Sequence, residues 1–250
     1  MAALGKRLLR TLCRRPALII ERMEVDLVLS RLCGKRFLRM IDVGAHHGEF
    51  LDILEHHNDD HIYDVICVEP LRESVEILSD KHWSYRRVNY RICDVAISEK
   101  SGTREFYLGT ASSLFTCTDE WLTAFHKEFR NARAIEVRCL TFDDLFSEYN
   151  LGRRDGFDFV KIDTEGHDRS VITSMIAAGI RPFSVMFEIG QNLHDTEMSI
   201  NALKQHSFSE FYVFGRNGIP TTFIGDYRGY AHLKRLRARG RLNAGNVVAF

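Results

Sequence analysis

Two kinds of side chain in this sequence are placed to do chemistry. The first are carboxylates at the ends of apolar runs: Asp163 and Glu165 follow Phe157–Ile162, and Glu188 closes Phe183–Phe187. A carboxylate there can act as a general base. Three on one sheet edge can hold Mg²⁺ through oxygen ligands. His167 and His194 add imidazoles, the side chain most often used as a general base. Asp163, Glu165 and His194 are the candidate catalytic groups, and Asp163 with Glu188 the candidate metal ligands. The second kind are binding groups. Met40-Ile41-Asp42-Val43-Gly44-Ala45-His46-His47-Gly48 reads as a buried strand, a glycine turn and a helix start. Free backbone N–H groups at such a start suit an anion, and Gly44, with no Cβ, lets the chain turn sharply and a ligand come close. His46 and His47 are expected to shape this turn rather than to react. The next largely apolar run, Tyr63–Val68, ends in Glu69. An acid at the end of a second strand can accept hydrogen bonds from both hydroxyls of a ribose.

These groups need a scaffold, and the pattern supplies one. Strand-like runs at 37–43, 63–68, 88–92, 157–162, 183–189 and 208–214 alternate with amphipathic helical stretches at 50–54, 71–80, 171–176 and 196–206. Such alternation builds a mostly parallel sheet with helices on both faces. Ligands then bind beyond the carboxyl ends of the strands, where Gly44, Glu69, Asp163 and Glu188 all fall. Val247–Phe250 follows a strand without a clear intervening helix, so it is expected to run antiparallel to its neighbour. Ala134–Leu140 alternates like an edge strand, Phe106–Leu108 suggests a hairpin partner, and residues 119–131 have a helical pattern. Thr141-Phe142-Asp143-Asp144-Leu145 opens a short helix with a capping-box-like Thr-x-x-Asp.

Composition narrows the partners. The 250 residues carry 34 basic and 34 acidic side chains, a balance that favours neither nucleic acid nor a membrane surface. None of the six cysteines is paired in Cys-x-x-Cys spacing, which disfavours zinc and fits reduced thiols in a cytoplasmic setting. No apolar run approaches the length of a membrane span. Residues 1–35 stand apart as a basic, amphipathic helical segment preceding a domain over 36–250. Lys6, Arg7, Arg10, Arg14 and Arg15 come before any acid, with Leu4, Leu8, Leu9 and Leu12 between them. A helix capping the sheet, an interfacial membrane helix and a transit peptide are the readings of this stretch. A second basic run occupies 228–241.

The motifs Ile41-Asp42-Val43-Gly44-Ala45-His46-His47-Gly48, Val68-Glu69-Pro70, Val95-Ala96-Ile97-Ser98, Thr141-Phe142-Asp143-Asp144-Leu145 and Val160-Lys161-Ile162-Asp163-Thr164-Glu165-Gly166 resemble, in order, those of the FkbM family of S-adenosylmethionine-dependent methyltransferases. The resemblance spans residues 38–190. The family usually has Asn in place of His46 and often Glu in place of Asp168. The resemblance implies the class I methyltransferase fold: α/β, Rossmann-like, a seven-stranded mostly parallel sheet with an antiparallel last strand. It implies methyl transfer from S-adenosylmethionine to a hydroxyl, as on a saccharide or related natural product. By position, Asp42, Gly44, Ala45 and Gly48 would line the methionine and ribose part of the cofactor. Glu69 would hold the ribose hydroxyls, Asp94 and Val95 would edge the adenine, and Asp163 would lie beside the methionine amine.

Three other classes are weighed against this one. A nicotinamide oxidoreductase is disfavoured because the spacing is Gly-x-x-x-Gly, not Gly-x-Gly-x-x-Gly. A nucleic-acid methyltransferase is disfavoured by the charge balance and by the lack of an Asn/Asp-Pro-Pro-aromatic run to hold a flipped base. A silent cofactor-binding protein is opposed by the intact Gly44, Gly48 and Glu69.

Overall fold

The computed structural model describes residues 22–81, 84–109, 115–117, 122–123, 127, 129–216, 222–242 and 244–250. Its strands are β1 (Phe37–Val43), β2 (Ile62–Val68), β3 (Val88–Cys93), β4 (Ala96–Ile97), β5 (Gly102–Leu108), β6 (Phe115–Thr116), β7 (Arg133–Leu140), β8 (Phe159–Ile162), β9 (Ser184–Glu188), β10 (Phe211–Arg216), β11 (Thr222–Asp226) and β12 (Ala244–Ala249). Its helices are α1 (Arg22–Arg31), α2 (Glu49–His56), α3 (Arg72–Lys81), α4 (Phe142–Glu148), α5 (Asp168–Ala177), α6 (Leu193–Gln205) and α7 (Tyr230–Ala238).

The main sheet has the order β11-β10-β12-β9-β8-β1-β2-β3. Strands β3, β2, β1, β8 and β9 pair in parallel, whereas β12 runs antiparallel to both β9 and β10. The expected seven strands are therefore present with their antiparallel last strand. An eighth, β11, extends the edge by pairing antiparallel with β10. Alternate residues of each central strand face opposite ways, which divides the core in two. Met40, Val65 and Phe159 pack with Val25 and Val28 of α1, Phe50 and Leu51 of α2 and Leu78 of α3. Ile41, Ile66 and Val160 pack with Phe142 and Leu145 of α4, Val171 and Ile172 of α5, Ile200 of α6 and Leu233 of α7. The packed helix expected from Met23–Leu32 is α1, and its buried Glu24 accepts from the Asn246 amide at 3.2 Å.

Two local expectations change. Strand β7 is an interior strand of a second, four-stranded sheet, β4-β7-β5-β6. Alternation shows that one face is buried but not which strands pair on either side. The chain between β10 and β12 carries β11 and α7, and α7 holds part of the second basic run. The capping residue Thr141 does accept from Asp144 N–H at 3.1 Å, but Ser101 Oγ accepts the Thr141 backbone N–H, so the box is closed from outside the helix. The reading of 119–131 as a helix and that of residues 1–15 lie largely or wholly outside the described residues.

Candidate active site

The glycine turn and Glu69 form the first part of the site. Gly44 N–H and Ala45 N–H both donate to the Val68 carbonyl, at 2.9 and 3.2 Å, which draws the end of β1 against the end of β2. Glu69 is buried. One of its oxygens accepts from His46 N–H at 2.8 Å and the other from Leu71 N–H at 2.9 Å. Burial pushes its pKa up, while these two backbone hydrogen bonds pull the other way. A carboxylate offers about four lone-pair sites, so each oxygen keeps capacity for one more donor. Gly44 makes the sharp turn expected of it, at φ 80°, and the space a Cβ would occupy is filled by the Asp163 carbonyl.

The second part is a charge cluster that motif reading did not resolve. Asp42 and Lys161 are register partners on the neighbouring parallel strands β1 and β8. Both are buried. Lys161 Nζ lies 3.2 Å from Asp42 Oδ1 and 3.5 Å from Asp163 Oδ2, so one ammonium serves a buried carboxylate and a partly exposed one. A buried charge persists only when paired. Lys161 therefore makes it possible for Asp42 to be ionised inside the sheet and fixes Asp163 at its carboxyl end. The signal was available: two opposite charges interrupt two apolar strands. Only the strand register, however, shows that they meet.

The third part is the loop from β8 to α5. Glu165 has φ 51° and Gly166 φ 96°, a left-handed pair that is uncommon for a side-chain-bearing residue. It is held from two sides. Asp168 accepts from Thr164 N–H and Thr164 Oγ1–H through one oxygen and from Glu188 N–H at 2.8 Å through the other. This ties the loop to the end of β9, and burial raises the Asp168 pKa to about 6. From the small sheet, Thr116 Oγ1 donates to the Glu165 carbonyl at 2.8 Å. His167 is buried, with Nε2 3.3 Å from Ser98 Oγ and Nδ1 3.6 Å from Cys117 Sγ. Burial lowers its pKa to about 4, so it is a neutral packing group that joins the two sheets.

The remaining residues singled out by sequence are spread along the same rim. Ala45 and Val95 are buried behind it. Asp94, exposed just after β3, accepts from Tyr149 O–H at 2.5 Å. Glu188 ends β9, with its backbone bound to Asp168. His194 is exposed in the first turn of α6, its ring edge-on to Tyr230 of α7 at 6.5 Å. Among the described residues, the group of three or more His, Cys, Asp or Glu side chains with mutually close ligand atoms is His46, His47 and Glu49. Asp163, Glu165 and Glu188 do not assemble into such a group, because shared position on a sheet edge does not make side chains converge.

The sequence profile of the Methyltransferase FkbM domain matches residues 42–212. The chain belongs to the FkbM methyltransferase family. Membership places it among S-adenosylmethionine-dependent methyltransferases. Among solved structures, it is similar to the methyltransferase FkbM from Methylobacillus flagellatus KT, at 12% identity and a TM-score of 0.52, over 94% of this chain and 48% of that one. The chain thus spans about half the length of that protein. It also matches Aeropyrum pernix fibrillarin in complex with natively bound S-adenosyl-L-methionine, at 10% identity and a TM-score of 0.45, covering 90% of this chain and 74% of that one. No curated protein matches the chain.

The residues present fit the family cofactor. Glu69 retains acceptor capacity for two hydroxyls, and Asp163 puts a half-exposed negative charge at the carboxyl end of β8 where an ammonium can pair with it. Replacing Glu69 with Ala is expected to weaken S-adenosylhomocysteine binding by about 1.5–3 kcal/mol, the range for hydrogen bonds to a charged group. Calorimetry showing unchanged affinity would remove Glu69 from the ribose site.

Proposed function

We propose that the protein transfers the methyl group of S-adenosylmethionine to a hydroxyl oxygen of a saccharide or related acceptor that carries negative charge. The bound cofactor supplies an already electrophilic methyl group. The protein's task is then alignment of the acceptor oxygen and removal of its proton. Asp163 and Glu165 are the acceptor-side carboxylates, on a loop fixed by Asp168 and Thr116. His194 stands further along the rim.

The observation that carries the anionic acceptor is the setting of α7. Arg237 donates to the Gly190 and Gln191 carbonyls at 2.9 and 2.6 Å, which clips α7 to the chain just beyond the end of β9. Arg228, Lys234, Arg235, Arg239 and Arg241 are exposed on and around that helix. Arg237 itself is committed to those carbonyls, so the recognition role falls to its exposed neighbours. A sugar phosphate, a nucleotide sugar or a glycan on a lipid diphosphate has the complementary charge. The basic residues 6–15 are suited to peripheral contact with an anionic membrane at its cytoplasmic face. No helix among the described residues is long and apolar enough to cross a membrane.

Replacing Arg235 and Arg239 together with Ala is expected to raise the KM for an anionic acceptor about three- to tenfold at low salt, as two exposed charge pairs supply. Cofactor affinity should stay the same, and the difference should shrink as salt screens the charges. The assay is methyl incorporation into nucleotide sugars and purified glycans. An unchanged KM, or incorporation confined to neutral acceptors, would discard the anionic reading.

A further inference from the structure

The turn between β1 and α2 carries a cluster that methyl transfer leaves unused. The rings of His46 and His47 stack with centroids 3.6 Å apart and planes 21° from parallel. His46 Nδ1 lies 3.1 Å from Glu49 Oε1. One possible ligand atom from each of His46, His47 and Glu49 falls within 4.8 Å of the other two. His46 has a left-handed φ of 45° in this turn, and the rings of the two consecutive histidines lie together. The two histidines are partly exposed and Glu49 is exposed, so an ion from solvent can reach all three.

We propose that His46, His47 and Glu49 form a binding site for a divalent transition-metal ion. Two imidazoles and one carboxylate suit Zn²⁺, Co²⁺ or Ni²⁺, whereas Mg²⁺ demands an oxygen shell. Three protein ligands leave coordination positions for water. The His46–Glu49 contact already aligns a carboxylate with an imidazole. The site also touches the cofactor pocket through the backbone, because the same His46 donates its N–H to Glu69. Metal and cofactor binding are therefore coupled through one turn. Binding of the ion stands apart from the acceptor proposal, since it needs neither cofactor nor acceptor.

The test uses the full chain freed of metal by a chelator and titrated with Co²⁺, followed by visible absorption and calorimetry. The expected result is one saturable Co²⁺ per chain, displaced by Zn²⁺ but not by Mg²⁺, with a raised melting temperature. His46→Asn should weaken binding by at least about tenfold, and Asn tolerates the left-handed backbone of that position. Glu49→Gln should do the same on a different element, and its far-ultraviolet dichroism and melting curve report whether the fold is kept. No saturable Co²⁺ binding, or full affinity in both folded variants, overturns the site.

Discussion

Replacing Lys161 with Met is expected to cost about 3–5 kcal/mol of folding stability, the range for breaking a buried ion pair by removing one partner. The cause is Asp42, which has no exposed surface and faces Lys161 at 3.2 Å. Without the ammonium, its carboxylate loses the cation that offsets a buried charge. Urea unfolding should show a lower midpoint with little change in slope. The double variant Asp42→Asn, Lys161→Met should recover part of the loss, because the buried carboxylate is then removed together with its buried cation. Cofactor affinity should not recover in the double variant, since Asp163 still lacks the cation 3.5 Å away. A single variant within about 1 kcal/mol of the parent, below the range for such a pair, would mean that the lysine is not what holds Asp42.

Gly44→Ala is expected to be comparably damaging and to strike binding as well. At φ 80° a side chain costs about 1–2 kcal/mol before any contact is counted. The added methyl group then overlaps the Asp163 carbonyl, which is backbone and cannot rotate aside. Relief requires the ends of β1 and β8 to part, against the 2.9 Å bond from Asp163 N–H to the Val43 carbonyl. The total should reach about 3–5 kcal/mol, at the upper end for a point substitution, with S-adenosylhomocysteine binding lost at accessible concentrations. Gly48→Ala is the control. It has nearly the same φ, but the nearest atom is Leu78 Cδ2 at 2.9 Å, the far end of a flexible side chain. Its loss should be visibly smaller in a thermal melt. Equal losses at the two positions would show that the backbone angle alone decides, not the fit of β1 against β8.

Much of the fold was legible because it is written in short, uninterrupted signals. The apolar runs of β1, β2 and β8, the helical spacing of Phe50, Leu51, Ile53 and Leu54, and the acid ending β2 need only neighbours in sequence to be read. What escaped reading depends on chain segments far apart. The alternation in β7 does not say that β4 and β5 flank it. The apolar run ending in Asp163 gives no hint that its carbonyl occupies the space beside Gly44. Asp163, Glu165 and Glu188 look like one acidic cluster in sequence, yet backbone hydrogen bonds through Asp168 set their spacing. His167 had the residue type of a base, but burial against Ser98 and Cys117 makes it a strut. Arg237 sat in a run of similar cations, and only its contacts with Gly190 and Gln191 separate it from them.

The pairing of β1 with β8 also says something about the order in which this molecule is made. Lys161 and Asp42 touch across a separation of 119 residues. The β1–β2 and β2–β3 pairings, by contrast, close much shorter stretches of chain. Loop-closure entropy disfavours the distant pairing until the nearer ones exist, and such non-local contacts slow folding. During synthesis, β1 emerges long before β8, so Asp42 must wait in water at an open strand edge while more than a hundred residues follow. Its hydration keeps that edge soluble, and an uncharged, apolar residue there would leave a sticky template exposed. The charge that is costly to bury in the finished sheet is thus suited to the unfinished one, and Lys161 brings its partner only with β8, the strand onto which β9, β12, β10 and β11 are then added.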